Sequence, residues 1–460
     1  MNTRVALLLG ALVAAAPPLA AQEFRFRSTT TGQYVQLRPV VYDSATNTFL
    51  SAPLAYAAPV ISDLEISAWG LGIQGLRGYA LLRGRGAFGS ELVWPRSDDH
   101  FDALYAYLEL ERPSWRVRAG RQQRFSGLGF YAFDGLTATV RPASTMRIEA
   151  YGGRGLARGF LEPISSPELK ALDPLTPEQG TILLGASLWA APTPQSSFTA
   201  VYQRELLSDR SGLASERAAL DAQVGFGPKL YLTGSADADL AADAFGKMRA
   251  SAVWRLPRSG YVEVEVFRYR PVFDLTTIWG VFSPEGHSGA GASVNFAAAQ
   301  SIGVSAGLDY RHYSTPASAT PFLIGVGDNT TEFNAGARWR RGRMTAEGTY
   351  TLTTGYGGGE SGGNASLSLT GAAGWRLGLN GTAFQQVDEF RVSSGTVYGA
   401  GFQARTQLGG RASLRAELNR YWQDRSQGAD GIDWSQTRAL VALDWTFGAN
   451  ADRTRLPAVP

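Results

Sequence analysis

Apolar and polar side chains alternate along this chain in segments of about ten residues, from about residue 32 to residue 448. A period of two sends successive side chains to opposite faces, so each segment is read as a two-faced β-strand. In 101–112 (FDALYAYLELER), Leu104, Ala106, Leu108 and Leu110 share one face, and Tyr105, Tyr107, Glu109 and Glu111 share the other. After the turn 112–114, Trp115, Val117 and Ala119 oppose Arg116 and Arg118. Further on, Met146, Ile148 and Ala150 oppose Arg147, Glu149 and Tyr151. The last strand sets Ala439, Val441, Leu443, Trp445 and Phe447 against Arg438, Asp444 and Thr446.

The connections alternate as well. Short turns fall at 72–76, 112–114, 142–145, 191–196, 226–229, 256–260, 298–301, 341–343, 373–376 and 408–411. Between them lie longer polar segments, among them 43–60, 89–100, 123–132, 154–179, 271–286, 313–329, 355–363 and 424–433, and one short outer connection near 240–244. Ten short turns and eleven outer connections predict an all-β chain of 22 strands, within a range of 18–22. The fold expected is a single transmembrane antiparallel up-and-down β-barrel with both termini periplasmic. A soluble sandwich would show the same alternation. Two features favour the membrane: Trp115, Trp254, Trp339, Trp375 and Trp445 lie near strand ends, as in interfacial girdles, and Arg and Glu occupy mid-strand on the polar face. A dry core would not tolerate those charges, whereas a wet lumen would.

The amino terminus supplies an address. Arg4 precedes an apolar run over 5–16, and Ala20 and Ala21 precede Gln22, so residues 1–21 read as a signal peptide cleaved after Ala21. The barrel is then assigned to 22–448 and a tail to 449–460, and the protein to the bacterial outer membrane. No stretch approaches the ~18 apolar residues of a transmembrane helix. The chain has no Cys, which excludes disulfides and thiolate metal sites, and only three His, without ligand spacing. No cofactor or metal is expected. Net charge is only +3, and Arg residues alternate with acids, so no nucleic-acid partner is implied. The partners expected are outer-membrane lipid and lipopolysaccharide, the barrel-assembly machinery through the C-terminal strand, and a small polar solute.

The stretch VRAGRQQ (117–123), followed by FDGL (133–136) and YGG (151–153), resembles part of the alginate-export and substrate-specific porin families. There a Gly-Arg-Gln ends a strand and an FDG opens the next; the matching residues here are Gly120, Arg121 and Gln122, then Phe133, Asp134 and Gly135. The likeness covers roughly residues 100–153. It implies a diffusion channel for a sugar, polysaccharide or small carboxylate, in a barrel of 18 strands rather than 22.

By parity, the pore-lining candidates are Arg116, Arg118, Arg147, Glu109, Glu111, Glu149, Arg249, Arg255, Arg338, Arg340, Glu347, Arg405, Arg415 and Glu417. Fixed charges set the field a solute meets, and the Arg excess favours anions. The plain alternative is that these charges pair across strands and keep the lumen wet. Loop 154–179 either folds into the lumen or forms an external lid. The run 355–364 (GYGGGESGGN) lacks the Lys-Ser/Thr of a phosphate loop and reads as a flexible outer loop. The acidic loops 424–433 and 328–332 lack the ligand order of a calcium loop.

Enzyme signals are thin. Gly286-His287-Ser288-Gly289-Ala290 superficially resembles a nucleophile elbow, but it opens a β-strand instead of a strand-to-helix turn. His287 and Ser288 must project to opposite faces. The chain is therefore read as a porin-like channel for passive diffusion of small polar or anionic solutes, not an enzyme. The alternatives are a polysaccharide or oligosaccharide export channel, a closed structural or adhesion barrel, and an outer-membrane hydrolase using Ser288 with His312 or His100.

Overall fold

The computed structural model describes residues 23–448 except 39, 47, 52, 92, 95–100, 159–179, 209–211, 258–259, 271–285, 315–326, 357, 372–373, 387–394 and 425–434. The signal peptide, the C-terminal tail, His100 and most of loop 154–179 lie outside the described residues. The strands are β1 (Glu23–Leu37), β2 (Val40–Asp43), β3 (Thr48–Ser51), β4 (Ala55–Trp69), β5 (Leu76–Gly89), β6 (Phe101–Glu111), β7 (Trp115–Ser126) and β8 (Gly129–Ala143). Next come β9 (Met146–Arg158), β10 (Thr181–Thr193), β11 (Ser196–Leu207), β12 (Leu213–Phe226), β13 (Leu230–Asp239), β14 (Ala244–Arg255), β15 (Tyr261–Tyr269) and β16 (His287–Ala299). The chain ends with β17 (Ile302–Tyr313), β18 (Asn329–Arg341), β19 (Met344–Gly355), β20 (Gly358–Thr370), β21 (Arg376–Gln386), β22 (Gly395–Gln407), β23 (Ala412–Asp424) and β24 (Ser435–Gly448). No helix occurs among the described residues.

Twenty-two of these strands form one antiparallel sheet in which each pairs with its neighbour in sequence, while β2 and β3 form a separate hairpin between β1 and β4. The sheet closes where β1 pairs with both β4 and β24. At that seam Phe26 stacks on Phe447, with ring centroids 4.9 Å apart. Closure removes the free edges, so the backbone satisfies itself without help from solvent, which is the condition for crossing a bilayer. The count agrees with the 22 strands expected, not the 18 that the resemblance implied.

All ten short turns read from the sequence fall between paired strands. Three longer connections do not. Segment 43–60 contains β3 and the start of β4, which pairs with β1 from Ala55. Residues 123–132 were expected to be a loop, but β7 and β8 run on as a hairpin to Ser126 and from Gly129, joined by Gly127 and Leu128. The Gly-rich run 355–364 was expected to be flexible, yet β20 starts at Gly358 and pairs directly with β19 from Gly355 onward. Glycine lowers intrinsic strand preference, but a closed sheet supplies hydrogen-bonding neighbours on both sides, and this tertiary term wins.

The two faces differ in exposure. Leu136 (59%), Leu379 (57%), Val441 (52%) and Trp445 (54%) stand on the apolar face, whereas Glu205 (2%), Glu109 (3%) and Thr139 (1%) stand on the polar face. Side chains on the concave side of a closed sheet converge and cover one another, so the polar face is the interior. The apolar face is a belt with no protein to cover it, as a membrane-spanning barrel requires.

Candidate functional site

The polar interior is built strand by strand from the register. Tyr107, Gly120 and Gly135 lie abreast, as do Glu109, Arg118 and Thr137, and these put the even residues of β7 and the odd residues of β8 inside. The same register carries the interior face onto Glu149, Ser187 and Val201.

Between β5 and β9 the interior charges form one network. Arg118 Nε donates to Glu109 over 2.6 Å, Arg116 lies 3.9 Å from Glu109 and 3.6 Å from Glu149, and Arg77 lies 3.3 Å from Glu111. Arg141 reaches Glu111 at 2.8 Å, and Arg124 pairs with Glu149, which also accepts from Thr139 at 3.0 Å. Glu109 and Glu149 are buried, and burial of a carboxylate is tolerable only with such partners. Six of the residues singled out in the sequence, Glu109, Glu111, Arg116, Arg118, Arg147 and Glu149, thus lie in one sector, with Arg147 held over the Trp189 ring at 5.7 Å. Here the plain reading, pairing across strands, accounts for most of the charge.

The sector beyond the seam, separated from β5 by β24, β1 and β4, differs. Arg376 on β21 faces Arg405 on β22, which faces Arg415 on β23, so three guanidinium-bearing residues stand abreast. Arg415 lies 3.3 Å from Glu417. Arg376, Arg405 and Arg340 have no ion-pair partner among the described residues. Like charges directly opposite one another are destabilising, so this row is retained against a local cost. Arg338 pairs with Glu347 at 2.9 Å, both well exposed. Arg249 lies 3.5 Å from Glu263 and also pairs with Glu265, while Arg255 covers the Tyr231 ring at 4.4 Å.

The motif residues serve the hairpin β7–β8. Arg121 makes two parallel bonds to Asp134, Nε to Oδ1 at 2.9 Å and Nη2 to Oδ2 at 3.0 Å. Gln122 donates to the Gly135 carbonyl at 3.0 Å and accepts from Thr137 at 2.8 Å. Phe133 packs with Tyr151 and Leu183 in a buried cluster. Gly120 holds a φ of 127°, closed to other residues. At Gly135 a Cβ would stand 2.6 Å from the Gly153 Cα, so β8 and β9 approach too closely for a side chain.

The tip of that hairpin is the element the sequence reading missed. Leu128 and Tyr131 pack on Val201 of β11 and Ala219 of β12, strands that β8 does not pair with. Arg217 on β12 donates to the Leu128 carbonyl at 3.0 Å and to the Tyr131 hydroxyl at 3.2 Å, and pairs with Asp237. A Cβ at Gly127 would stand 2.7 Å from Asp221 Oδ2 and 2.9 Å from the Ala219 Cβ. The hairpin therefore folds over the interior face of β9–β12. Its sequence signal was the glycine pair Gly127 and Gly129 flanking a lone Leu128, which reads equally well as an exposed loop.

No family model and no curated protein matches the chain. Among solved structures, the siderophore receptor PirA from Pseudomonas aeruginosa matches over 93% of this chain and 81% of its own, with 12% identity and a TM-score of 0.54. A BenF-like porin from Pseudomonas fluorescens Pf-5 matches over 92% and 98%, with 10% identity and a TM-score of 0.43. OccAB2 from Acinetobacter baumannii matches over 92% and 98%, with 11% identity and a TM-score of 0.42. At such identities the likeness to the receptor is one of barrel fold alone.

Proposed function

We propose that this barrel is an outer-membrane channel for passive diffusion of small polar or anionic solutes. The observation that carries the reading is the interior itself: a charge-lined face inside a closed barrel with an apolar exterior, which is the arrangement of a water-filled lumen. In this reading the inward hairpin tip narrows the passage, and the Arg376–Arg405–Arg415 row supplies the field that favours anions. The short turns and both termini face the periplasm, the signal peptide is removed after Ala21, and the last strand engages the assembly machinery. Outer-membrane lipid and lipopolysaccharide surround the apolar belt. The lumen is assigned no catalysis and no cofactor.

Single-channel recording in a planar bilayer, with reversal potentials under a salt gradient, tests the proposal. Stepwise conductance with anion preference is the expected result. A folded protein that inserts and passes no current overturns it.

A further inference from the structure

On the outward face, the loop end of β15–β18 breaks the apolar pattern. Along β17 the outward positions run Ile302, Val304, Ala306, Leu308 and Tyr310, and then His312. On β15, Val264 and Val266 precede Arg268 in the same way. The register sets Arg268 beside Ser288, Ser288 beside His312, and His312 beside Asn329. This exposed row lies two residues beyond Val266 and Tyr310, about 7 Å along the strands. It therefore sits where hydrocarbon gives way to the ester and headgroup region of a bilayer.

The hydrogen bonds define the histidine's chemistry. His312 Nδ1 lies 2.9 Å from Asn329 Oδ1, which also accepts from the Tyr310 hydroxyl at 2.7 Å. An amide oxygen only accepts, so Nδ1 carries a proton, and in the neutral ring Nε2 is the nitrogen free to accept one. Ser288 stands directly opposite His312 in the β16–β17 register, where opposed residues have Cβ atoms about 5 Å apart. Arg268 flanks Ser288 on its other side. Arg268, Arg270, Ser288 and His312 line one cavity of about 490 Å³. Neither arginine has an ion-pair partner among the described residues, whereas the outward Arg204 on β11 is opposed by Glu216. His287 also lines that cavity, at the rim of the barrel, with its ring turned to the interior against Tyr269 and Tyr313.

We infer that this row is a serine esterase site facing the bilayer, acting on the acyl ester of a membrane lipid with a phosphate-bearing headgroup. The inference rests on the membrane placement of the proposed channel but not on its conducting. Ser288 Oγ adds to the acyl carbonyl carbon as its proton passes to His312 Nε2, and Asn329 holds the imidazolium through Nδ1–H. The Arg268 guanidinium faces the oxyanion, and Arg270 meets the lipid phosphate. Collapse of the tetrahedral adduct breaks the ester C–O bond, and the leaving alcohol takes the proton from Nε2. Water, deprotonated by His312, then adds to the acyl-serine carbonyl, releasing the fatty acid and restoring the Ser288 hydroxyl.

The test uses the full chain folded in detergent, a fluorophosphonate probe, and mixed micelles of phosphatidylethanolamine and phosphatidylglycerol. Covalent labelling of Ser288, mapped by peptide mass, and release of fatty acid are expected. Ser288→Ala abolishes both, and His312→Ala slows hydrolysis at least about 100-fold. Asn329, a positioning residue, is read by rescue: Asn329→Ala lowers kcat and Asn329→Asp restores it. Ser288→Ala keeps the wild-type heat-modifiable gel mobility of a closed barrel, which shows that it folds whether or not the barrel conducts and so separates this inference from the channel reading. A folded wild-type barrel that takes no label and releases no fatty acid overturns the inference, and so does labelling at another serine.

Discussion

Arg217 on β12 donates to the main-chain carbonyl of Leu128 over 3.0 Å, although the two residues lie 89 positions apart in the chain. Three strands, β9, β10 and β11, separate the partners around the sheet. The contact exists only because the tip of the β7–β8 hairpin bends inward over the interior face and seats on β11 and β12, while β8 stays paired with β9 from Tyr131 onward. Arg217 also pairs with the buried Asp237, so one guanidinium ties the hairpin to the wall.

Replacing Arg217 by Ala leaves Asp237 without its cation and the hairpin without its tether. Loss of one partner from a buried pair costs about 3–5 kcal/mol. Urea titration of the folded barrel is expected to show that loss, and single-channel conductance is expected to rise as the tip swings away. Unchanged conductance would mean the hairpin does not limit the passage.

Gly127→Val places a branched side chain against the Ala219 Cβ and the Asp221 carboxylate, where even a Cβ stands 2.9 and 2.7 Å away. Overpacking of this kind costs about 1–3 kcal/mol. The hairpin is expected to move off the wall and the barrel to stay closed. Fluorescence quenching of a label at the tip reads the movement directly.

Arg405→Glu inserts a carboxylate between Arg376 and Arg415. Two like-charge pairings become two opposite-charge ones, each worth at most about 1 kcal/mol at such exposed positions. Stability is expected to rise slightly while the reversal potential moves toward cation preference. A rise in stability with no shift in selectivity would remove the row from the proposed selectivity mechanism.

Arg121→Ala removes both bonds to Asp134, and charge-assisted bonds contribute about 1.5–3 kcal/mol. The predicted effect falls on stability and on the yield of folded barrel, measured by denaturant titration, with ion selectivity unchanged. A selectivity change instead would give the Gly-Arg-Gln motif a role in the passage.

The charges of β5–β9 illustrate how far pattern reading reaches. Parity alone placed Glu109, Arg118 and Glu149 on one face, because a strand's side chains alternate whatever the neighbours are. It could not pair Arg116 with both Glu109 and Glu149, since those carboxylates come from β6 and β9 and meet only through the register. The outward row shows the same limit. Ser288 and His312 were legible as residues on two strands, but their alignment with Arg268 and Asn329 depends on the stagger of four neighbouring strands.

The one-dimensional pattern by itself determined the all-β class, the 22-strand count, the ten short turns and the division into an apolar and a charged face. These follow from local rules: a period of two, and turn residues that interrupt it. Only the tertiary structure decided where 123–132 and 355–364 lie. Local preference for a loop is worth little against paired strands on both sides of β20, or against the β7–β8 ladder and a hydrophobic seat on Val201 and Ala219. The same holds for every contact between non-neighbouring strands, because the closure that creates them appears in no local stretch of the chain.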